Sequence, residues 1–356
     1  MAETLSDEFL VSAKAAGLRY VTDAMPGIGR RRHGRGFIYI GPDGRTIRDR
    51  ATLERIRALT IPPAWTHVWI CAHPHGHLQV TARDARGRKQ YRYHPEFRAQ
   101  RDGAKFERMF AFSEVLWKIR VRVEHDIRLP GLPREKVMAT VVWLLERTLI
   151  RVGSDEYARA NKSYGLTTLR RKHVEVHGAA LVFEFRGKSG VAVSLGVADR
   201  RIARVVQRCQ ELPGQVLFKY LDEEGTRRQV DAGDINEYLR EVTNREITAK
   251  DFRTFAGTML AAEALRRMGA APSAAEARQN VVRAIDEAAA RLGNTRAVCR
   301  RYYIHPALIE AYLEGIVLPP VSAEPRSGER RRGRKRLREH EEEVLAFLRE
   351  RLGSEV

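Results

Sequence analysis

The periodicity of the hydrophobic residues changes once along this 356-residue chain, close to Pro95. Before that point, short apolar runs alternate with Gly-containing turns, a pattern typical of antiparallel strands. After it, apolar residues recur three and four positions apart, as on the buried face of a helix. We predict a Gly/Arg loop at 27–36, a short helix at 50–59, and strands at 37–40, 66–72, 77–82 and 89–93. The fold class is therefore expected to be α+β, beginning with a small antiparallel β-sheet.

The part of the chain after Pro95 is predicted to be mostly α-helical, with one small sheet inside it. Residues 104–127 have helical spacing, and Pro133 suits the first turn of a helix that runs to about Ile150. Three strands follow, expected at 172–177, 180–186 and 191–196. The later helices are expected at 199–211, 231–242, 250–268, 273–292 and 295–304. The second domain should therefore be mostly helical and contain a three-stranded sheet.

These patterns divide the chain into three parts. A β-rich domain covers 1–98, a mostly helical domain covers 99–322, and a basic tail covers 323–356. The tail contains RRRGRKRLR at 330–338, a run of charge typical of a solvated and partly disordered segment. A short amphipathic helix, Val344 to Leu352, can close the chain.

The charge balance indicates a polyanionic partner. Lys and Arg together number 64 against 45 Asp and Glu, which gives a net charge of +19 at pH 7. Arg is far more frequent than Lys, and its guanidinium group binds phosphate in a bidentate manner. An acidic protein or an anionic membrane surface would satisfy the charge alone.

The cysteines and the apolar runs limit the class of protein further. The three cysteines, Cys71, Cys209 and Cys299, lie far apart in the sequence. This spacing excludes a disulfide framework and makes a zinc site unexpected. It indicates a reducing, cytosolic compartment. The first residues lack the basic-then-apolar order of a signal peptide. No apolar run approaches the ~18 residues that a membrane helix needs. A cytoplasmic protein is therefore expected.

Motifs for nucleotides and metals are incomplete. GKS at 187–189 lacks the earlier glycine of a phosphate-binding loop, because Val182 stands there, and strands flank it on both sides. Gly27 and Gly29 lack the third glycine of a dinucleotide-binding turn. Three histidines alternate and would share one face of a strand, as solvated side chains rather than metal ligands: His73, His75 and His77. We expect no nucleotide cofactor and no metal site.

Five residues in four segments can break a phosphodiester without a metal ion. This reaction needs a side-chain nucleophile for phosphorus, cations that hold the equatorial oxygens, and an acid for the leaving alkoxide. Arg suits the second task, and Lys suits the third where an electropositive site lowers its pKa. The candidates are Arg151, Lys188, Arg253, Asn294 and Tyr303.

The segments around these residues resemble the compact type IB DNA topoisomerases, the poxvirus and bacterial branch. The resemblance covers about residues 27–315, and the motifs agree in order and spacing. They are IPPAWTHVWIC at 61–71, GRKQYRYHP at 87–95, RVGSDEYARANKSYGLTTL at 151–169, FRGK at 185–188, KDFRTF at 250–255 and the segment 294–303. The family implies a tyrosine nucleophile that forms a 3′-phosphotyrosyl bond and releases a 5′-hydroxyl.

The resemblance also implies a role for each candidate. Tyr303 is the nucleophile, Arg151 and Arg253 bind the scissile phosphate, and Lys188 is the general acid for the 5′-oxygen. The family usually has His where this chain has Asn294. Some bacterial members carry Asn there, and an amide N–H can donate to a phosphate oxygen although it cannot transfer a proton.

Two alternatives stay open for the segment 294–303. Tyr302 is the rival nucleophile, and a capping role at a helix end is the ordinary explanation for Asn294. Asn294 and Tyr303 are also nine residues apart, about 13 Å along a regular helix and half a turn out of phase. We therefore expect the Tyr303 hydroxyl to lie away from the other site residues in the absence of DNA. No base for Tyr303 is evident, although His305 is near in sequence.

Further DNA contacts are implied by the same resemblance. Gln90, Tyr91 and Tyr93 resemble residues that read DNA from the small domain, and alternation puts the two tyrosines on one strand face. A packed sheet face is the ordinary alternative for them. Tyr157 is expected to contact a phosphate. Lys250 shares a helix face with Arg253 and is a candidate for assisting Lys188.

The sequence thus predicts a monomeric enzyme whose two domains clamp duplex DNA and relax supercoils without ATP, cofactor or metal. It is expected to be associated with the nucleoid. A tyrosine recombinase is the first alternative, although recombinases usually carry His at the position of Lys250. A non-enzymatic architectural DNA-binding protein, supported by charge alone, is the second alternative.

Overall fold

The computed structural model describes residues 2–34, 36–85, 87–318 and 337–353, without the side chains of 2–8 and 101–104. The chain divides into two compact units, Met1–Lys105 and Phe106–Val356. The first contains an antiparallel sheet, and the second is mostly helical with a three-stranded sheet. The predicted α+β class is therefore confirmed.

The first unit is built on a five-stranded antiparallel sheet with the order β2-β1-β3-β4-β5. Its strands are β1 Ile28–His33, β2 Gly36–Ile40, β3 Thr66–Ile70, β4 Leu78–Arg83 and β5 Lys89–Tyr93. Two helices accompany them, α1 Ala2–Ala15 and α2 Arg50–Ala58. The Asp49 carboxylate caps α2 by accepting a hydrogen bond from the Thr52 amide at 2.8 Å. Ile28, Ile56, Ile70 and Val80 form the largest apolar cluster of this unit.

The predicted Gly/Arg loop at 27–36 is wrong, because residues 28–33 form strand β1 within the sheet. Its one deeply buried residue, Ile28, pairs with Ile70, while the arginines that follow hide the strand pattern in the sequence. Arg30 contributes to the packing of the first unit through polar contacts rather than apolar ones. It donates to the carbonyl oxygens of Pro62 and Trp65 at 3.1 and 2.6 Å. A long cationic side chain can pack within a sheet when carbonyl groups accept its N–H donors.

The second unit is built around one large apolar core. Its strands β6 Val174–His177, β7 Ala180–Arg186 and β8 Ala192–Ala198 form an antiparallel sheet in that order, and β9 Lys219–Leu221 pairs with β10 Arg227–Gln229. The helices are α3 Pro95–Asp126, which begins in the first unit, α4 Arg134–Thr148, α5 Asp155–Asn161, α6 Arg200–Glu211, α7 Ala232–Thr243, α8 Ala249–Met268, α9 Ala274–Leu292, α10 Arg296–Tyr302, α11 Pro306–Leu313 and α12 Glu339–Gly353. Helices α5 and α11 and the β9–β10 hairpin were not predicted, and α3 begins earlier than predicted.

The final helix, α12, belongs to the core of the second unit. Val344 and Leu348 are buried in that core, and the Glu341 carboxylate accepts hydrogen bonds from Arg120 of α3 at 2.7 and 2.8 Å. A separate tail over the whole of 323–356 is therefore incorrect for residues 339–353. Most of the basic run at 330–338 lies outside the described residues.

The expectation that three alternating histidines share a strand face is wrong. Residues 73–77 form a turn, and His77 is buried, where its Nδ1 accepts from the Val21 amide at 3.1 Å and its ring stacks on Tyr20. Within the described parts of the chain, no group of three or more His, Cys, Asp or Glu side chains could hold a metal ion. No helix there is long and apolar enough to cross a bilayer.

Candidate active site

Arg151 follows the C-terminus of α4, where Leu149 adopts a left-handed conformation and turns the chain away from the helix. The chain then passes very close to the segment around Gly165. The Leu166 amide donates to the Arg151 carbonyl at 2.8 Å, and a Cβ atom at Gly165 would lie 2.6 Å from the Gly153 nitrogen. Only glycine permits this approach, which fixes the backbone that carries Arg151.

The Arg151 side chain reaches the end of α9. It donates to the carbonyl oxygen of Gly293 at 3.4 Å and makes a short hydrogen bond to the Asn294 side-chain oxygen. Burial lowers the pKa of the Arg151 guanidinium, and the Tyr303 and Tyr157 hydroxyls partly oppose that shift. Arg151 and Asn294 therefore form one hydrogen-bonded pair.

Arg253 lies in α8 and is only 4% exposed. Its guanidinium donates to the carbonyl oxygen of Leu149, which follows α4, and to that of Leu292 at the end of α9, the latter at 2.8 Å. The carbonyls at a helix C-terminus carry partial negative charge and attract a cation. Burial lowers the pKa of Arg253, as does the neighbouring charge of Arg151. The two arginines thus lie beside each other at the end of α9, and Arg253 is also held at the end of α4.

Asn294 lies in the short break between α9 and α10. Gly293 ends α9 in a left-handed conformation, and the Thr295 hydroxyl caps α10 by accepting from the Val298 amide. The capping role considered for Asn294 therefore belongs to its two neighbours. The Asn294 Nδ2 atom is buried and has no hydrogen-bond partner. The same is true of Nε of Arg253, so two buried donors remain unused at this place.

Tyr303 ends α10, and its ring lies alongside Arg253. The guanidinium carbon of Arg253 is 5.3 Å from the centre of that ring, and the Tyr303 hydroxyl is close enough to raise the pKa of Arg253 against the effect of burial. The expectation that this hydroxyl lies away from the other site residues is wrong. Thr295, between Asn294 and α10, has an extended backbone, so Asn294 is not part of the helix that leads to Tyr303. The neighbouring Tyr302 is 39% exposed and lies beside Arg301.

Lys188 occupies the predicted turn between β7 and β8. The Gly187 amide donates to the Val191 carbonyl at 2.8 Å and closes the turn, while Ser189 has a positive φ of 65°. The Lys188 side chain is exposed. It lines a cavity of about 620 Å³ together with Arg151 and Gly293. Arg151, Arg253, Asn294 and Tyr303 therefore lie in direct contact or side by side, and Lys188, on the β-hairpin, shares a cavity with Arg151.

Three of the candidate DNA-contacting residues lie on β5 of the first unit, and the other two lie in the second unit. In β5, Tyr91 and Tyr93 stack with ring centres 6.1 Å apart, which confirms their common face. Tyr91 is 49% exposed, whereas Tyr93 packs on Phe97, as in the alternative of a packed face. Gln90 alternates to the opposite face and donates to Asp84 at 3.0 Å.

Two further candidates lie in the second unit. Tyr157 is in α5, near enough to Arg151 to influence its pKa. Lys250 is exposed in the first turn of α8, three residues before Arg253. The main-chain acceptors of Leu149, Leu292 and Gly293 were not predicted, because a carbonyl group leaves no mark in the residue pattern. The signal that could have revealed them is Gly293, a typical helix C-terminal residue directly before Asn294.

His305 cannot serve as the base for Tyr303 through Nδ1, because that atom caps α11. It accepts a hydrogen bond from the Ala307 amide at 3.2 Å, and the ring packs on Phe106 at 4.7 Å. Burial lowers the pKa of His305 to about 4. The imidazole is therefore neutral in the folded protein at pH 7.

This burial predicts a pH dependence of stability. Between pH ~6.5 and ~4 the unfolded chain binds a proton at His305 that the folded protein does not, so stability is complete at pH 7 and falls as the pH drops. At pH 5 the loss from this residue is expected to be about 2 kcal/mol. Urea unfolding at pH 7 and pH 5 measures it, with His305→Asn as the matched variant that keeps a capping side chain. An equal loss in both proteins would contradict the prediction.

Two family models and several curated proteins match this chain. The model for the eukaryotic DNA topoisomerase I catalytic core matches residues 94–317, more than half of the chain, and the model for the bacterial DNA topoisomerase IB N-terminal domain matches 36–84. The DNA topoisomerase 1B of Acanthamoeba polyphaga mimivirus is 32% identical over 295 residues, which cover 81% of this chain and 88% of the viral protein.

More distant relatives match over shorter regions. The DNA topoisomerase 1B of Vaccinia virus (strain Copenhagen) is 28% identical over 110 residues, or 31% of this chain and 35% of that protein. The DNA topoisomerase 1 of Mycosarcoma maydis is 27% identical over 96 residues, or 27% of this chain and 9% of that protein. Together with the longer matches, these similarities show that the chain belongs to the type IB DNA topoisomerase family and is an enzyme of the DNA topoisomerase class.

Proposed function

We propose that this protein relaxes supercoiled duplex DNA by cutting one strand through a tyrosine ester and sealing it again. The observation that carries the proposal is the pair of buried, unused donors at Arg253 Nε and Asn294 Nδ2 beside Tyr303. Burying a polar N–H without a partner costs free energy, so a ligand with acceptor oxygens is expected to bind there. A phosphodiester supplies such oxygens.

The reaction exchanges one phosphate ester for another. The phenolic oxygen of Tyr303 attacks phosphorus, the bond from phosphorus to the 5′-oxygen breaks, and a 3′-phosphotyrosyl bond remains. The phenolic proton passes to water, and Lys188 donates a proton to the departing 5′-oxygen. Religation is the reverse of each step. Because an ester replaces an ester, no bond energy is lost to hydrolysis and no ATP is needed.

The cations of the site provide the charge that this reaction requires. Arg151 and Arg253 would bind the two non-bridging oxygens, on which charge concentrates in the transition state. Asn294 would donate to one of these oxygens from its free amide hydrogen atoms. Both arginines are held by main-chain carbonyls at two helix ends, so little reorganisation is needed when a phosphate enters. This supports chemistry without a metal ion, because fixed guanidinium groups already stabilise the developing charge.

The other candidates would contact the duplex around the scissile phosphate. In the first unit Tyr91 presents an exposed ring and hydroxyl, beside the ammonium group of Lys89 at 5.5 Å from the ring centre. Tyr157 and Lys250 would bind phosphates near Arg151 and Arg253. Gln90 would contact a base through its Oε1 atom or its second N–H, because one N–H already binds Asp84. We propose that the protein does this as a monomer on cytoplasmic DNA.

A direct test is the relaxation of a negatively supercoiled plasmid in EDTA, without ATP. We expect complete relaxation through a ladder of topoisomers and, after denaturation with detergent, protein linked to the 3′ end of the nick. A tyrosine recombinase would depend on synapsis of two sites, and a merely architectural protein would give no covalent adduct. Relaxation that requires Mg²⁺ or ATP, or an adduct at the 5′ end, would contradict the proposal.

A further inference from the structure

The backbone of Tyr303 lies directly against α8 at Gly257, one helical turn after Arg253. A Cβ atom at Gly257 would lie 2.7 Å from the Tyr303 Cβ atom and closer still to its carbonyl oxygen. Real Cβ atoms do not approach other atoms this closely, so any side chain here would displace Tyr303 or α8. Gly257 costs helix propensity relative to Ala, and the close approach of Tyr303 explains why glycine is needed there.

The next residue of α8, Thr258, holds the same backbone by two hydrogen bonds. Its side chain is fully buried. The hydroxyl donates to the Tyr303 carbonyl at 3.2 Å and accepts from the His305 amide at 3.1 Å. Both main-chain groups lie in the break between α10 and α11, where helical partners are missing. The Thr258 hydroxyl therefore supplies hydrogen bonds to the Tyr303 carbonyl and the His305 amide, which have no helical partner in this break.

We infer that Gly257 and Thr258 are positioning residues for the Tyr303 nucleophile, an inference that rests on the proposed function. Arg253, Gly257 and Thr258 are spaced four and one residues apart on one buried helix. The same rigid element thus sets the position of a phosphate-binding guanidinium and of the backbone that carries the attacking hydroxyl. Because one helix positions both groups, it can hold the Tyr303 oxygen at the distance from phosphorus that attack requires. A displacement of about 1 Å from this position can lower the rate about 10²-fold.

The reversibility of the reaction gives this role a kinetic signature. Tyr303 is the nucleophile in cleavage and the leaving group in religation, and the two directions share one transition state. A displaced Tyr303 should therefore slow both directions by a similar factor and leave the fraction of covalent complex at equilibrium nearly unchanged. A role in stability alone would change neither rate constant of the folded enzyme.

Thr258→Val tests the inference, because it keeps the shape of the side chain and removes the hydroxyl. Single-turnover cleavage and religation are measured on a suicide duplex with enzyme in excess, so that the first-order rate constants do not depend on the folded fraction. We expect both constants to fall at least about tenfold, with the Kd for DNA unchanged. Thr258→Ser, which keeps the hydroxyl, should recover most of the rate.

Two further variants separate positioning from folding. Thr140→Val is the matched control, since Thr140 is equally buried in α4 and donates only to the Lys136 carbonyl at 2.8 Å. It should lower the melting temperature and leave both rate constants unchanged. Gly257→Ala is the second probe. Ala favours the helix by about 1 kcal/mol, which offsets part of the steric cost in folding while Tyr303 is still displaced.

The outcomes distinguish this inference from the proposed function. Wild-type rate constants in Thr258→Val and in Gly257→Ala would overturn the positioning role while leaving the nucleophile assignment intact. Loss of cleavage with unchanged religation would also overturn it, since positioning acts on both directions. An adduct that still forms in Tyr303→Phe would instead refute the proposed function itself.

Discussion

Replacement of Tyr303 by Phe is expected to abolish the covalent adduct and to reduce plasmid relaxation at least about 10⁴-fold, because the attacking oxygen is removed. The ring can still pack beside Arg253, so folding and DNA affinity should change little. Denaturing gels of enzyme incubated with a duplex labelled at the 5′ end of the cleaved strand measure the adduct, because that label stays on the fragment joined to Tyr303, and filter binding measures the affinity.

Tyr302→Phe is the matched control for this variant. Tyr302 is exposed and lies beside Arg301 rather than Arg253, so its hydroxyl has no route to a phosphate held by Arg253 without a rearrangement of α10. We expect wild-type adduct formation in Tyr302→Phe. If this variant loses the adduct while Tyr303→Phe retains it, the nucleophile is Tyr302 and the proposed site must be rebuilt around it.

Removal of the Lys188 ammonium group is expected to slow cleavage by about 10² to 10⁴-fold, the usual contribution of a general acid. An alkoxide is a poor leaving group unless it is protonated as the bond to phosphorus breaks. Lys188→Ala should therefore be rescued by a duplex in which sulfur replaces the bridging 5′-oxygen, because a thiolate leaves without a proton. Cleavage rates of the oxygen and sulfur substrates give the measurement.

Two other lysines make this test specific. Lys172→Ala removes an exposed charge from the same unit and should leave both substrates at wild-type rates. Lys250→Ala examines the residue near Arg253 that could share in proton delivery. Equal loss on the oxygen and sulfur substrates in Lys188→Ala would assign Lys188 to phosphate binding instead of acid catalysis, and selective rescue of Lys250→Ala would transfer the acid role to Lys250.

The sequence predicted the main elements well where hydrophobic spacing and turn chemistry agree. The turn that carries Lys188 and the helix that carries Arg253 follow from local patterns, so both were placed within a few residues. Strand β1 was missed because three of its six residues are consecutive arginines, so neither its pairing with β2 nor its shorter pairing with β3 appears as an apolar alternation in the sequence.

The convergence of the candidate site was predicted from a resemblance, and its geometry only in part. A regular helix through 294–303 would have separated Asn294 from Tyr303, but the extended backbone of Thr295 leaves Asn294 outside α10. The contact of Tyr303 with α8 depends on the missing side chain at Gly257, a residue that looks unfavourable in a helix until its neighbour is known. Tertiary contacts of this kind cannot be read from spacing.

The choice of acceptor for the two active-site arginines has an electrostatic consequence. Arg151 and Arg253 are oriented by uncharged carbonyl oxygens, and neither takes part in an ion pair with any acidic residue that the structure describes. A carboxylate in the same place would hold each guanidinium equally well but would cancel its field. The protein thus anchors both cations while leaving their full attraction for an incoming anion.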